Sequence, residues 1–329
     1  MLRTAIAGLV LGGALGAVMT RGGVCFNTAV REAAFERRWR VVRIFAIAVA
    51  VQMLLLPALI FEGVPVSRIG LYPFSEVVGG VVFGAGMALA GGCVTGILWK
   101  SGSGSVATAL AIVAFGAGEL LIRNPGAQIM RRLDRAGGHP SPSTLYGLLH
   151  VRYAPLAVVL GVVALAVLRP WSRKEALVGV ALGVLGAGAW VVADWVGYGY
   201  GLGFVGTADA VKHALDVGRI SALSFEVYLA LGVIAGAMLS GHITIRVPSP
   251  ARAARAVTGG LLMGVGGNLA HACNIGHGLT GIPLLSLGSL LATASMALGV
   301  VATWGLLVSR SATLRGREHR FPARSRPAA

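Results

Sequence analysis

Polar positions along this chain fall in short clusters that separate long apolar stretches. Nine stretches stand out: 4–20, 44–61, 75–91, 104–122, 153–168, 175–193, 225–245, 256–270 and 284–308. Most approach the ~20 residues that a helix needs to cross a bilayer core. The pattern predicts an all-α polytopic membrane protein with about nine transmembrane helices. The first stretch is not read as a cleavable signal, because no small-residue cleavage site precedes a soluble mature domain.

Four segments break this pattern: 20–30, 91–103, 197–212 and 270–283, each rich in glycine and following an apolar run too abruptly to continue it as a lipid-facing helix. Non-helical backbone at membrane depth is tolerated only when buried in protein or lining a cavity. The four are therefore expected to be re-entrant loops or short half-helices meeting near the midplane. Two of them share a layout. "GAGMALAGGCVTG" (84–96) and "GVGGNLAHACNIG" (264–276) align without a gap through Gly84/Gly264, Gly86/Gly266, Leu89/Leu269, Ala90/Ala270, Cys93/Cys273 and Gly96/Gly276. A weaker match joins "TRGGVCFNTA" (20–29) to "GYGLGFVGTA" (199–208), with Phe204 where Cys25 would stand. The expected organisation is a membrane domain over 1–309, with repeat one at about 1–122, a connector at 123–174 and repeat two at about 175–309. A basic tail, 310–329, follows.

Charge fixes a threading. Only 12% of residues are charged, the mean hydropathy is +0.79 and the net charge is +16; a soluble domain carries about 25% charged residues. The positive residues gather at 31–43, 169–174, 246–255 and 310–326, each abutting an apolar run. That is the distribution of cytoplasmic flanks rather than of a nucleic-acid surface. With every run crossing once, the N-terminus lies outside and the C-terminus inside. The repeats then run in opposite directions, an arrangement of transporters whose binding site lies at the repeat interface. Residues 123–152, which carry Arg123, Arg131, Arg132, Arg135 and Arg152, fall outside against the charge rule and read as an ordered hairpin.

The chemistry of the breaks points to an anion. Glycines let backbone N–H groups approach a ligand, and short-helix N-termini carry partial positive charge. All three cysteines of the chain, Cys25, Cys93 and Cys273, lie in the breaks. A neutral thiol is a soft, weak donor, suited to the sulfur of a soft anion and poorly suited to a hard oxyanion. The candidate pathway comprises these thiols with Gly22, Gly23, Gly91, Gly92, Asn27, Thr95, His271, Asn274 and His277. His271, Cys273 and His277 could in principle hold zinc, but the upstream twin offers Gly91 and Thr95 and no carboxylate, so no metal and no cofactor is expected. His271 and His277 are read as donors toward an anion or as loop packing. Glu76, Glu119 and Glu226 sit at run ends and read as interfacial, whereas Asp194, inside a run, is a candidate proton or cation carrier. Arg21 either attracts an anion at a pathway mouth or marks an interface. No G-x-x-x-x-G-K-[ST] phosphate loop occurs, which argues against direct ATP use.

"TRGGVCFNTA", "AGGCVTG" and "AHACNIGHGLTG", spread over two inverted halves, resemble the YeeE/YedE family, the sulphur-transport family of bacterial inner-membrane proteins. The resemblance covers most of residues 1–308. It implies a compact helical fold with four central loops, uptake of thiosulfate from the periplasm and three pathway cysteines, at positions matching Cys25, Cys93 and Cys273. It also implies, for some members, a small cytosolic sulfurtransferase-like partner. Two alternatives stay open: transport of another sulfur or selenium species, and an enzyme relaying thiols or persulfides, against which the absence of a C-x-x-C pair counts. A non-enzymatic importer is the expectation.

Overall fold

Each apolar run becomes a helix. The computed structural model describes residues 1–68, 70–169 and 171–318, with side chains described as far as 309. The nine long helices are α1 (Leu2–Gly22), α3 (Arg40–Phe61), α4 (Pro73–Ala90), α6 (Val106–Arg123), α9 (Tyr153–Val167), α10 (Arg173–Val196), α12 (Phe225–Ser240), α13 (Pro250–Leu269) and α14 (Leu287–Glu318). Six spans are long and apolar enough to cross a membrane by themselves, and α9 and α12 are shorter apolar helices. α13 starts six residues ahead of its apolar run because Pro250 opens it and Arg252 and Arg255 occupy its first turns. α14 runs past its apolar stretch into the segment read as a basic tail, and residues 319–329 lie outside the described residues. Among the described residues there are no strands, only two isolated bridges, Ser105 with Arg246 and Thr144 with Ser286.

The breaks fall where the sequence placed them. α1, α4 and α10 end on Gly23, Gly91 and Gly197, with φ of 61°, 74° and 73°. This left-handed region is open to glycine and strained for other residues. At the fourth break the turning residue is His271, with φ of 64°. Its side chain holds that conformation: Nε2 lies 3.0 Å from Asp134 Oδ1, and the ring stacks 4.2 Å from Tyr72. A short helical piece follows each break. These are α2 (Phe26–Phe35), α5 (Val94–Gly102), α11 (Thr207–Asp216) and a π-helical turn at Gly276–Gly281.

Packing joins the two halves crosswise. α1 lies against α12 and α10 against α3; α13 lies against α6 and α14 against α4. α4 also meets α13, and α1 meets α10. Each of these pairs joins a helix of the first six to one of α10–α14, so each half helps to enclose the breaks of the other. α9 is the addition, leaning on α3. The segment 123–152 is an ordered cap with two short helices, α7 (Ala127–Ala136) and α8 (Leu145–Leu148). It is tied to the start of α14 by Leu145 N–H to Leu285 O at 2.9 Å and Leu287 N–H to Ser143 O at 3.0 Å.

Glycines set the closeness of these contacts. Side chains gain little by leaving lipid for one another, so membrane helices associate through backbone approach over small residues. A Cβ added at Gly84 would stand 2.1 Å from Met296 O, and one at Gly264 would stand 2.1 Å from Phe115 O. Gly84→Ala is therefore expected to force α4 and α14 apart and destabilise the protein by about 1–3 kcal/mol, as overpacking does. Gly188→Ala, with nothing within 4 Å of the added carbon, should leave stability unchanged or slightly raised. Thermal unfolding in detergent, followed by the monodisperse fraction, checks both; equal behaviour of the two variants would contradict the packing.

Candidate functional site

Only Val24 separates the left-handed Gly23 from Cys25, so the chain leaves α1, turns and immediately starts α2. Cys25 and Cys93 are the N-caps of α2 and α5, with extended backbones. Their carbonyls accept the first helical hydrogen bonds, from Ala29 N–H at 2.9 Å and Ile97 N–H at 2.8 Å. Cys273 plays the same part, its carbonyl accepting from His277 N–H at 2.9 Å. An N-cap side chain faces the free N–H groups of the first turn, a position ordinarily held by Ser, Thr, Asp or Asn. Here a sulfur faces them: Gly96 N–H donates to Cys93 Sγ at 3.4 Å.

The first two loops meet. The Cys25 thiol donates to Cys93 Sγ at 3.5 Å, and Cys93 N–H donates to Cys25 Sγ at 3.3 Å. Thr95 Oγ1 lies 3.4 Å from Cys93 Sγ. The Thr28 N–H faces the Cys25 sulfur and the Phe26 N–H faces that of Cys93, so each thiol sits among amides of both loops. Trp99 Nε1–H pins the pair by donating to Val24 O at 3.2 Å. All three cysteines are free and buried. Cys273 belongs to the other two loops, where the N–H groups of Phe204 and Gly276 lie against its sulfur. Those loops are laced by Tyr200 Oη–H to Gly276 O at 2.9 Å and by Thr280 Oγ1–H to Leu202 O at 2.8 Å.

α4 and α13 run antiparallel, Gly79 meeting Ala270 and Gly86 meeting Gly259, so the Cys93 and Cys273 loops follow opposite ends of this helix pair. Beside the Cys25–Cys93 pair, Arg40 donates to Gly22 O at 3.1 Å and Lys100 Nζ to Gly91 O at 2.6 Å. Lys100 lines a cavity of about 740 Å³ with Arg252, Arg255, Gly91 and Trp304. Around the Cys273 pair lie the 123–152 cap and a set of carboxylates.

Other expected site residues divide. Gly22 and Gly92 are buried in the turns, Thr95 touches Cys93, and Asn27 Oδ1 accepts from Trp304 Nε1–H at 3.3 Å. Asn274 is buried beside Cys273 with neither amide atom hydrogen-bonded. The two histidines make contacts inside the fold, as the loop-packing alternative has it. His277 Nε2–H donates to Ala270 O at 2.7 Å while Nδ1 lies 3.1 Å from Ser289 Oγ, so both ring nitrogens are engaged inside the fold. His271 turns to the cap and Asp134. His277 thus has no nitrogen free for an anion, and His271 Nε2 is held by Asp134.

Four further expectations change. Glu76 and Glu119 are not interfacial: both are 0% exposed, and Glu226 is also buried. Glu119 caps α11, accepting from Gly206 N–H at 2.6 Å and Ala208 N–H at 2.9 Å. Asp194, the proposed carrier, is exposed. The N-cap of α11 is Gly206, two residues beyond the Phe204 that the gapless alignment matched to Cys25. The loop between Gly197 and Gly206 is longer than its counterpart, a length difference that matched letters could not reveal. Sequence reasoning also passed over Gly96 as a site residue. A Cβ there would stand 2.6 Å from Cys25 Sγ and 3.3 Å from Cys93 Sγ. Its place in the repeat, three residues past each matched cysteine, was the available signal. Among the described residues no group of three or more His, Cys, Asp or Glu is placed to hold a metal.

A family model described as sulphur transport matches residues 21–178 and 169–302. The chain is 27% identical to the thiosulfate transporter TsuA of Escherichia coli (strain K12), over 92% of this chain and 95% of that one. It is 28% identical to the thiosulfate transporter TsuA of Spirochaeta thermophila (strain ATCC 700085 / DSM 6578 / Z-1203), over 89% of this chain and 96% of the relative. A shorter match, 30% identical over 30% of this chain, joins it to the probable transporter YedE of Escherichia coli (strain K12).

The thiol geometry has a direct chemical readout. A disulfide needs its sulfurs at about 2.05 Å, which the contacting Cys25 and Cys93 can reach by a small loop movement. Mild oxidation of the purified protein should yield a Cys25–Cys93 peptide by mass spectrometry and leave Cys273 as a thiol. Gly96→Ala should cut that yield several-fold. Preferential linkage through Cys273 would contradict the loop pairing.

Proposed function

We propose that this chain, which belongs to the sulphur transport family, imports thiosulfate across the bacterial inner membrane along its three buried thiols. The observation that carries the reading is the Cys25–Cys93 contact, two soft sulfurs set among the N–H groups of two short-helix N-termini. The names of the two long-matching relatives supply the substrate. Thiosulfate combines a soft terminal sulfur with hydrogen-bonding oxygens. A thiol donates to the first, and loop N–H groups with the unpartnered Asn274 amide donate to the second.

The route runs from Cys273 at the capped end to Cys93 and Cys25, and leaves toward Arg40 and Lys100. The capped end is the periplasmic one in this reading, with the N-terminus periplasmic and the C-terminus cytoplasmic. The clusters at 31–43, 169–174 and 246–255 then face the cytoplasm, as positive flanks do. The crosswise packing supports two inverted repeats, about 1–122 and 175–309, with the thiols at their interface. Gly22, Gly23, Gly91 and Gly92 shape the inner loops, while Asn27 and Thr95 brace them. A small cytosolic sulfurtransferase-like protein would receive the ion at the basic end. No covalent step on the ion is required, so the protein acts as a transporter and not as an enzyme.

Uptake of radiolabelled thiosulfate by cells lacking other importers tests the reading. The unmodified protein should restore uptake, and Cys93→Ala should reduce it to background with the protein still in the membrane. Excess sulfate, which lacks a soft sulfur, should compete poorly. Uptake that survives Cys93→Ala would reduce that thiol to packing, and no uptake by the unmodified protein would point to another sulfur or selenium species.

A further inference from the structure

We infer that Glu76 is a proton-binding site that couples entry of the anion to entry of a proton, an inference resting on the thiosulfate-import reading. Glu76 lies in the first turn of α4 and is 0% exposed. Neither of its carboxyl oxygens has a partner at hydrogen-bond geometry, and the one donor that faces the group is the Tyr72 N–H. The other buried acids are all engaged. Glu119 caps α11, Glu175 binds Arg43 at 3.0 Å and Ser172 N–H at 2.9 Å, and Glu226 faces Tyr198 and Ser224. Among the described residues Glu76 is the one carboxyl group with both oxygens buried and neither at hydrogen-bond geometry.

Its surroundings hold no compensating charge. The α14 backbone closes on it: a Cβ at Gly288 would stand 2.1 Å from Glu76 Oε1. From α7, Asp134 accepts from Ser75 Oγ–H and meets His271, not Glu76. From the loop side, His271 is held by Asp134 and Tyr72, and His139 lies edge-on to Tyr72. From α14, Ser289 contacts His277, whose other nitrogen is bonded to Ala270 O. An unpaired charge inside the bilayer is costly, so ionisable groups kept there serve ion or proton paths far more often than packing. A carboxyl in such a place is accommodated as the neutral acid.

Position gives the acid a task. α4 and α13 run antiparallel, and a Cβ at Gly79, one turn past Glu76, would touch Ala270 N at 2.4 Å. Glu76 therefore sits at the same end of the bundle as Cys273. A dianion entering a cell moves against the inside-negative potential, and a cation taken up with it offsets that opposition. The proton is loaded on the Glu76 carboxyl from the outer side, while the anion meets Cys273, and both leave inward. Asp194, exposed at the end of α10, has no such site.

Proteoliposomes holding the full chain and an internal pH dye test the coupling with thiosulfate as the probe. An acidic exterior should raise initial thiosulfate uptake several-fold, and each uptake burst should acidify the lumen. In Glu76→Gln the ratio of uptake with and without the gradient should fall to about one, with no acidification, and Glu76→Asp should restore part of both. Infrared difference spectra on acid–base cycling, recorded without thiosulfate, should show a protonated-carboxyl band that Glu76→Gln removes. Thiosulfate uptake by the unmodified protein with no proton movement, or an unchanged gradient response in Glu76→Gln, overturns the inference. If the unmodified protein takes up no thiosulfate, the import reading fails; the infrared band then decides Glu76 separately, its absence overturning the proton site.

Discussion

The structure turns on one constraint: backbone that leaves helical geometry inside a bilayer must find protein around it, because lipid offers no hydrogen bonds. This chain interrupts its helices four times, and every other feature answers to those interruptions. The crosswise pairing of α1 with α12, α3 with α10, α4 with α14 and α6 with α13 encloses the four breaks from outside. Glycine at the crossing points brings helices close enough to seal them. A cysteine at an N-cap then gains its setting from the break itself, since only a helix start presents free N–H groups to a side chain.

That origin explains why thiols and amides occur together. A helix N-terminus attracts negative charge, and a Ser or Asp there would answer with a hard oxygen. Cys93 instead accepts the Gly96 N–H while receiving the Cys25 thiol, leaving a soft, uncharged surface between partial positive charges. Such a surface can attract a sulfur-bearing anion without holding it as tightly as an arginine would, which suits passage better than storage. Basic groups stand just beyond the pair, at Arg40 and Lys100, where the bundle opens toward its positively flanked end.

How much of this was legible in the letters follows from what each property depends on. Helix positions depend on local apolar length, so all nine runs reappear, and the breaks appear at Gly23, Gly91 and Gly197 because left-handed turns select glycine. The cysteine loops were visible because Cys93 and Cys273 share a gapless frame. The contact between Cys25 and Cys93 was not, since it depends on two loops separated by a whole helical hairpin. Burial of acids was misread for the same reason. Glu76 stands at the end of an apolar run, where interfacial solvation is the ordinary outcome, and only the approach of α14 through Gly288 removes it from water. His277 illustrates the converse, since a histidine four residues after a cysteine looks like chemistry but ties Ala270 to Ser289.

The halves match in backbone and differ in chemistry, and the difference has a physical consequence. At the Cys25–Cys93 loops the start of α2 is capped by Cys25, and the Phe26 and Thr28 N–H groups face the two sulfurs. At the outer loops the start of α11 is already occupied by the Glu119 carboxylate, which takes the N–H groups of Gly206 and Ala208. The Glu119 carboxyl thus fills one of the four helix starts, and the Phe204 N–H faces the Cys273 thiol. The outer pair thus offers one soft donor, Cys273, and the inner pair offers two in contact. On the proposed import route, an ion moving from the single donor to the pair would gain contacts on the way, and the path would be directional in its chemistry although the backbone around it is nearly symmetric.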